Sequence, residues 1–341
     1  RAWPGTGVPP EEVLAVVVRE LKAAYEDRTA PVVARRLNFE NAGYRSLILA
    51  AGRRLPDEPD GTWAATLTAI DPRWGTPELW AAFRRAASPG TDFHLLAALD
   101  LERDAGDAIV RAPPEEAIYR DVLVRTFWIS ALVTLFCLVL GYPLAYRLAT
   151  LKERHANLLI ILVLLPFWTS LLVRTASWIV LLQREGPVNQ LLQGLGIIGA
   201  PLQLVFNRTG VLVAMTHVLL PFMVLPLYSV MRGIPPSYMR AAMSLGAWPL
   251  RAFVRVYLPL SMPGVAAGCL LVFILAIGYY ITPALVGGAA DQMISSLIAF
   301  FTLQTANWGM AAALGSVLLA VTMLLYLVYA RVVGIDRLRL G

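Results

Sequence analysis

The residues that could do chemistry are few, and most lie in apolar surroundings. Arg174 follows Trp168, Thr169 and Ser170 and precedes Trp178 within one apolar run. A charge in such a run is costly and marks a pathway or gate. The other reading is an arginine near the end of a span, snorkelling to an interface between belt tryptophans. Tyr279, Tyr280 and Thr282 stand beside Gly278 and Pro283. Their rings could hold an ammonium group by cation–π contact, worth about 0.5–2 kcal/mol each, or could simply be interfacial aromatics. His217 lies inside another apolar run and reads as a packed or pore-lining residue, and Asp291 is the one acid between Glu185 and Asp336. Ser130, Ser170 and Ser177 with His217 could be imagined as nucleophile and base, but no nucleophile-elbow motif supports them. His94, His155 and His217 do not cluster with other ligand types as a zinc site would. Cys137 and Cys269 sit in apolar runs and read as small buried hydrophobes. The chain has no G-x4-G-K-[ST] phosphate loop.

The elements that must position these residues follow from composition. Of the 341 residues, 57% are hydrophobic and 15% charged, with a mean hydropathy of +0.62; a soluble domain carries about 25% charge. Residues 1–125 hold 16 Lys+Arg and 19 Asp+Glu, a net of −3, and residues 126–341 hold 13 and 4, a net of +9. The basic excess is therefore a feature of short loops between apolar runs, not a nucleic-acid surface. Residues 1–120 read as a small, mainly helical domain. Val13–Ala24 has helical spacing, with Val13, Val16, Val17 and Leu21 on one side after Pro9 and Pro10. Breaks fall at Leu55–Gly61, Asp71–Pro77 and Ser88–Thr91, and Leu79–Ala87 and Phe93–Ala108 read as short helices.

From Asp121 onward the pattern is an all-α polytopic membrane domain, residues 121–341. Thr126–Ala149, Leu158–Leu182, Gly210–Met231, Met262–Val286 and Met310–Val333 each approach or exceed the ~20 residues a span requires. The loops after the first and third spans and the C-terminus carry Arg147, Lys152, Arg154, Arg232, Arg240, Arg251, Arg255, Arg331, Arg337 and Arg339; the other side's short loops carry Arg184 and Arg208. By the positive-inside rule the basic side is cytoplasmic. The C-terminus is then inside and residues 1–120 are external, which requires an N-terminal helix upstream of Arg1, a sixth span, or a cleaved signal peptide.

The cytoplasmic stretch 232–259 reads as a helix–turn–helix outside the membrane. Pro235 and Pro236 suit a helix start, Gly246 the left-handed position that ends a helix, Pro249 the first turn of a second helix, and Pro259 a break before the next span. Its spacing resembles the EAA loop of ABC importer permeases, E-A-A-x3-G-x9-I-x-L-P, with Ala241, Ala242, Gly246, Leu258 and Pro259 in register. Arg240 stands where that pattern has Glu, and Val256 where it has Ile. Leu165-Pro-Phe-Trp-Thr-Ser170 with Val173-Arg174, the stretch 219–228, Leu258–Gly268 and Tyr280–Gly288 look like the B-type permeases of spermidine/putrescine importers. The likeness covers Tyr119 to the C-terminus, and residues 1–118 match no known motif.

The resemblance implies a type I ABC importer permease of the bacterial inner membrane, with no catalytic residues, metal or cofactor of its own. ATP and magnesium would be bound by partner subunits. The implied partners are two ATPase subunits, a second permease of a different chain type and an external solute-binding protein. ATP-driven closure of the ATPase dimer would move the 232–259 loop and reopen the spans outward. On this likeness Arg240, Ala241, Ala242, Gly246, Leu258 and Pro259 couple to the ATPase, while Trp168, Thr169, Arg174, Trp178, Tyr279, Tyr280 and Thr282 are pathway candidates. A polyamine suits the aromatic residues. The absence of carboxylates from the spans leaves its charge to be met elsewhere, and an amino-acid derivative or opine would suit Arg174 better. An ion-coupled secondary transporter, the alternative class, usually needs intramembrane acids, and the five spans hold none.

Overall fold

A computed structural model describes residue 3 and residues 7–41, 43–86, 91–104 and 106–333. Arg337, Arg339 and most of the expected break at Ser88–Thr91 lie outside these residues. The chain divides into two compact units, Arg1–Ile118 and Tyr119–Gly341.

The first unit is helical: α1 (Glu11–Glu26), α2 (Ala30–Glu40), α3 (Tyr44–Arg54), α4 (Trp63–Ile70), α5 (Pro77–Ala86) and α6 (Phe93–Ala97). The buried face of α1 is Leu14, Val18 and Leu21, with Val16 exposed. Of the stripe expected through Val13, Val16, Val17 and Leu21, Leu21 is buried and Val17 packs against the core, whereas Val16 faces out and Leu14 and Val18 take the most buried positions. Those residues pack with Leu37, Leu47, Ile48, Leu67, Trp74 and Trp80, and the Trp80 indole N–H donates to the Trp74 carbonyl at 2.8 Å. The helix expected over Phe93–Ala108 stops at Ala97. Asp100 and Asp107 adopt positive φ of 57° and 70°, which a helix cannot accommodate. Leu101–Arg103 (β1) instead pairs antiparallel with Ile109–Arg111 (β2), Glu102 opposite Val110.

The second unit is built around three long helices: α7 (Tyr119–Thr150), α11 (Arg208–Arg232) and α14 (Leu258–Gly278). Between them come α8 (Glu153–Leu164), α9 (Leu171–Leu182), α10 (Pro187–Gly194), α12 (Pro236–Ser244) and α13 (Pro249–Ala252); α15 (Ile281–Val286), α16 (Ile294–Leu303) and α17 (Trp308–Val333) follow. Helix α11 is central, with 61% of its most apolar stretch buried, against 17% for α17. Its Met215, Leu219, Met223 and Leu227 pack on Ile129, Val133 and Cys137 of α7 and Val272 of α14. Gly264 and Gly268, four apart on α14, allow close approach. A Cβ at Gly268 would lie 2.7 Å from Met223 Sδ, and one at Gly264 3.2 Å from Leu227 Cα. Small residues four apart are how apolar helices gain contact where lipid offers no hydrophobic gradient.

Among the described residues, four helical stretches are long and apolar enough to cross a membrane: Tyr119–Thr150, Arg208–Arg232, Pro249–Gly278 and Trp308–Arg331. Three sequence expectations need correction. The second span is not one helix. Glu153–Trp168 and Leu171–Gly194 meet at a bend of 98°, because Pro166 within the tight turn Leu165–Trp168 cannot continue an α-helical ladder. The fourth span ends at Gly278, where Tyr279 turns extended, and α15 is a separate short helix. Pro259 does not break the chain. Residues Phe253–Tyr257 form a π-helical turn that runs straight into α14, and this wider turn accommodates the proline that follows it. Helix α16, at 10 residues, is too short to span and was missed. Its first N–H, from Ile294, is capped by Thr126 Oγ1 of α7 at 2.9 Å.

Candidate functional site

The 232–259 stretch is a short helical hairpin, and its turn explains its sequence. Gly246 has φ +87°, a conformation that favours glycine. The Gly246 N–H donates to the Met243 carbonyl at 3.0 Å and the Ala247 N–H to Ala242 at 3.1 Å, the paired bonds that close a helix C-terminus. Pro249 then opens the second helix. Arg240, Ala241 and Gly246 are exposed, Ala242 half-buried, and Leu258 and Pro259 lie at the start of α14.

Behind the hairpin lies an aromatic joint that sequence reasoning missed. Phe253 and Tyr257 of the π-turn stack with ring centres 5.6 Å apart. Both meet α7 edge-on: Tyr146 lies 5.6 Å from Phe253 and 5.1 Å from Tyr257, and Tyr142 lies 6.1 Å from Phe253. The Tyr142 hydroxyl is 2.8 Å from Ser261 Oγ of α14. The hairpin is thus joined to two spans through stacked rings and a hydrogen bond. The i, i+4 aromatics Phe253/Tyr257 and Tyr142/Tyr146 were the available signal, but their pairing depends on a fold that spacing does not reveal.

The pathway candidates divide. Trp178 meets His217, Thr282 meets Thr175 of α9, and Arg174 turns back on the α8–α9 bend. The Trp178 indole N–H donates to His217 Nδ1 at 3.2 Å, with the rings edge-to-face at 5.3 Å. Thr175 and Thr282 hydroxyls are 3.3 Å apart. The Tyr279 carbonyl accepts from Ser295 Oγ at 2.8 Å. Trp168, at 75% exposure, and Tyr280, at 40%, stand on the surface. Thr169 belongs to the bend.

Arg174 is committed to that bend. Its Nη2 donates to the Thr169 carbonyl at 2.9 Å and to the Pro166 carbonyl, and its Nε to Thr169 Oγ1 at 3.3 Å. The Pro166 carbonyl also accepts from the Thr169 N–H at 3.3 Å and the Thr169 hydroxyl at 2.8 Å, and in lipid such backbone groups must be satisfied internally. Through Nε and Nη2 the guanidinium therefore braces the bend. Among the described residues no group of His, Cys, Asp and Glu has metal-binding geometry.

The two ends of α11 are marked by ion pairs. Arg232 Nη2 bonds Glu153 Oε1 of α8 at 3.0 Å, and Arg208 Nε bonds Asp291 Oδ1 at 3.1 Å. A 25-residue helix separates them by roughly 37 Å at ~1.5 Å per residue, so the hairpin and the Asp291 region lie at opposite ends of the bundle. The loop before Arg208 is tied by buried Asn189, which bonds both the N–H and the carbonyl of Leu202.

A bundle of apolar helices with a protruding basic hairpin defines a transporter permease. Residues 120–334 match the family described as binding-protein-dependent transport system inner membrane component, and the chain belongs to it. It is an integral inner-membrane permease subunit of an ABC importer, a transport component. It is 38% identical over 216 residues to the spermidine/putrescine transport system permease protein PotB of Escherichia coli K12, covering 63% of this chain and 78% of PotB. PotB of Salmonella typhimurium LT2 is likewise 38% identical, with 75% of it covered. The inner membrane ABC transporter permease protein YdcU of E. coli K12 is 32% identical over 241 residues, covering 67% of this chain and 75% of YdcU. The fold is shared with a crystallised bacterial alginate ABC transporter in complex with its periplasmic protein, at a TM-score of 0.52 and 18% identity over 62% of this chain and 77% of that one.

Proposed function

We propose that this permease imports a small polyamine-like cation, and that a separate ATPase grips the 232–259 hairpin to drive it. The observation that carries the reading is the hairpin itself: a stiff, exposed turn with its rear wedged into α7 and α14 by Tyr142, Tyr146, Phe253 and Tyr257. Such a part transmits force from outside the bundle into it. The excess of arginines on the hairpin side puts that side in the cytoplasm, with Asp291 and residues 1–120 external, where the first unit is suited to meeting a solute-binding protein or capping the entrance. The bent pair α8–α9 is then one kinked span, since the basic loop before it and the sparse loop after it fall on opposite sides. The second permease is a different chain, as the spermidine/putrescine likeness suggests.

The solute reading rests on the identity with PotB. Arg174 holds the bend through its bonds to Pro166 and Thr169, and is assigned no contact with the solute. The test is uptake of labelled spermidine and putrescine by cells whose own polyamine uptake is deleted, expressing the permease with its ATPase, second permease and binding protein. ATP-dependent uptake, lost when Arg232–Pro259 is scrambled, supports the reading. Uptake that ignores that scrambling overturns the coupling, and uptake of neither amine by an assembled, ATP-hydrolysing complex overturns the solute class.

A further inference from the structure

The hairpin's outer face has a charge pattern that specifies its partner. Residues 232–259 contain four arginines and no acid. Arg232 is paired with Glu153. Arg240, Arg251 and Arg255 are exposed and form no ion pair among the described residues. The same hairpin carries highly exposed apolar side chains: Leu245 at 90%, Trp248 at 79% and Leu250 at 75%. A groove lined by Trp248, Leu250, Arg251, Val254 and Arg255 opens beside them. Tryptophan and arginine around an apolar centre are the residues that dominate protein interfaces.

We infer that this face docks in an acidic groove of the ATPase subunit, with carboxylates facing Arg240, Arg251 and Arg255. The inference rests on the ATP-driven reading above and goes beyond it by giving the partner's charge. It also accounts for Arg240, which stands where the EAA pattern has an acid: the polarity of the contact is inverted, and the partner inverts with it. An anionic membrane surface is the other possible occupant of a basic face. Lipid-binding segments use clusters of about four to eight lysines and arginines; here three arginines are interspersed with a rigid apolar turn and no lysine. Arginine's planar fork suits carboxylates held in a groove.

Carbodiimide coupling reads the contact directly in the assembled importer in native membranes. The guanidinium does not react, whereas a lysine amine condenses with an adjoining carboxylate to an amide, the water lost being taken up by the carbodiimide. The unsubstituted chain, whose lysines are Lys22 and Lys152, gives the background. R240K, R251K and R255K should each add a cross-link to an Asp or Glu of the ATPase. Arg240→Glu, on an exposed position, should cut ATPase retention at least about tenfold at moderate salt, through like-charge contact, and an acid-to-Arg change at the cross-linked partner position should restore it. Cross-links to phosphatidylserine instead, or full ATPase retention by R240E, would overturn the inference while leaving ATP-driven transport standing. Failure of the unsubstituted chain to hold any ATPase would overturn both.

Discussion

Replacing Phe253 with alanine should uncouple ATP hydrolysis from transport without dissolving the complex. Phe253 meets three rings, Tyr142 at 6.1 Å, Tyr146 at 5.6 Å and Tyr257 at 5.6 Å. Aromatic pairs contribute about 0.5–1.5 kcal/mol each beyond area burial, so the joint loses roughly 1.5–4.5 kcal/mol of the energy that holds it in one arrangement. At about 1.4 kcal/mol per factor of ten, the weakest case admits a loose hairpin about ten times more often. The assay is solute moved per ATP hydrolysed in reconstituted vesicles. F253A should hydrolyse ATP at or near the normal rate and move at least several-fold less solute per ATP. Y146F, which keeps its ring, should behave as the unsubstituted chain. Normal stoichiometry in F253A would refute the idea that force passes through these rings.

Further outcomes follow from the packing. Gly268→Val places a side chain against Met223, whose Sδ lies 2.7 Å from the Cβ position; overpacking of about 1–3 kcal/mol should lower the melting temperature in detergent, and Met223→Ala in the same chain should restore part of it. Arg174→Ala removes a donor from both the Pro166 and Thr169 carbonyls; Pro166 keeps the Thr169 N–H and hydroxyl, so the loss should be about 1–3 kcal/mol for the Thr169 carbonyl, read as reduced thermal stability. In the first unit, burial and the nearby Arg36 charge push the His94 imidazole below its ordinary value of 6.5. Because the unfolded chain then binds the proton more readily, stability present above pH 6.5 should fall as pH drops from there toward the lowered folded value. Protease sensitivity of that unit in the full chain should rise over this window, and His94→Gln should flatten the rise.

How much of this was legible depends on the range of the physics involved. The hairpin could be read closely because Pro236, Gly246 and Pro249 act on their own backbone. The ends of α11 and α17 followed from composition, since a long apolar run in lipid has few alternatives to helix. The bend at Pro166 was hidden because hydropathy sums composition and is blind to direction; the proline itself was the overlooked signal. The π-turn at Phe253–Tyr257 leaves no periodic trace over five residues. The Trp178–His217 contact joins residues 39 apart, and the role of Arg174 became clear only once the carbonyls it serves were in view. Leu101–Arg103 falls within the helix expected over Phe93–Ala108 because a three-residue strand carries too little pattern to interrupt a helical reading.

The account stands on the hairpin facing the cytoplasm, within reach of a motor. Single cysteines in a chain lacking Cys137 and Cys269 test this with a membrane-impermeant maleimide on intact spheroplasts. A cysteine replacing Ser244, in the hairpin, should react only after the membrane is opened, whereas one replacing Gly199, in the loop before α11, should react at once. Prompt labelling at position 244 from outside would contradict the sidedness, and with it the coupling of this permease to any cytosolic ATPase.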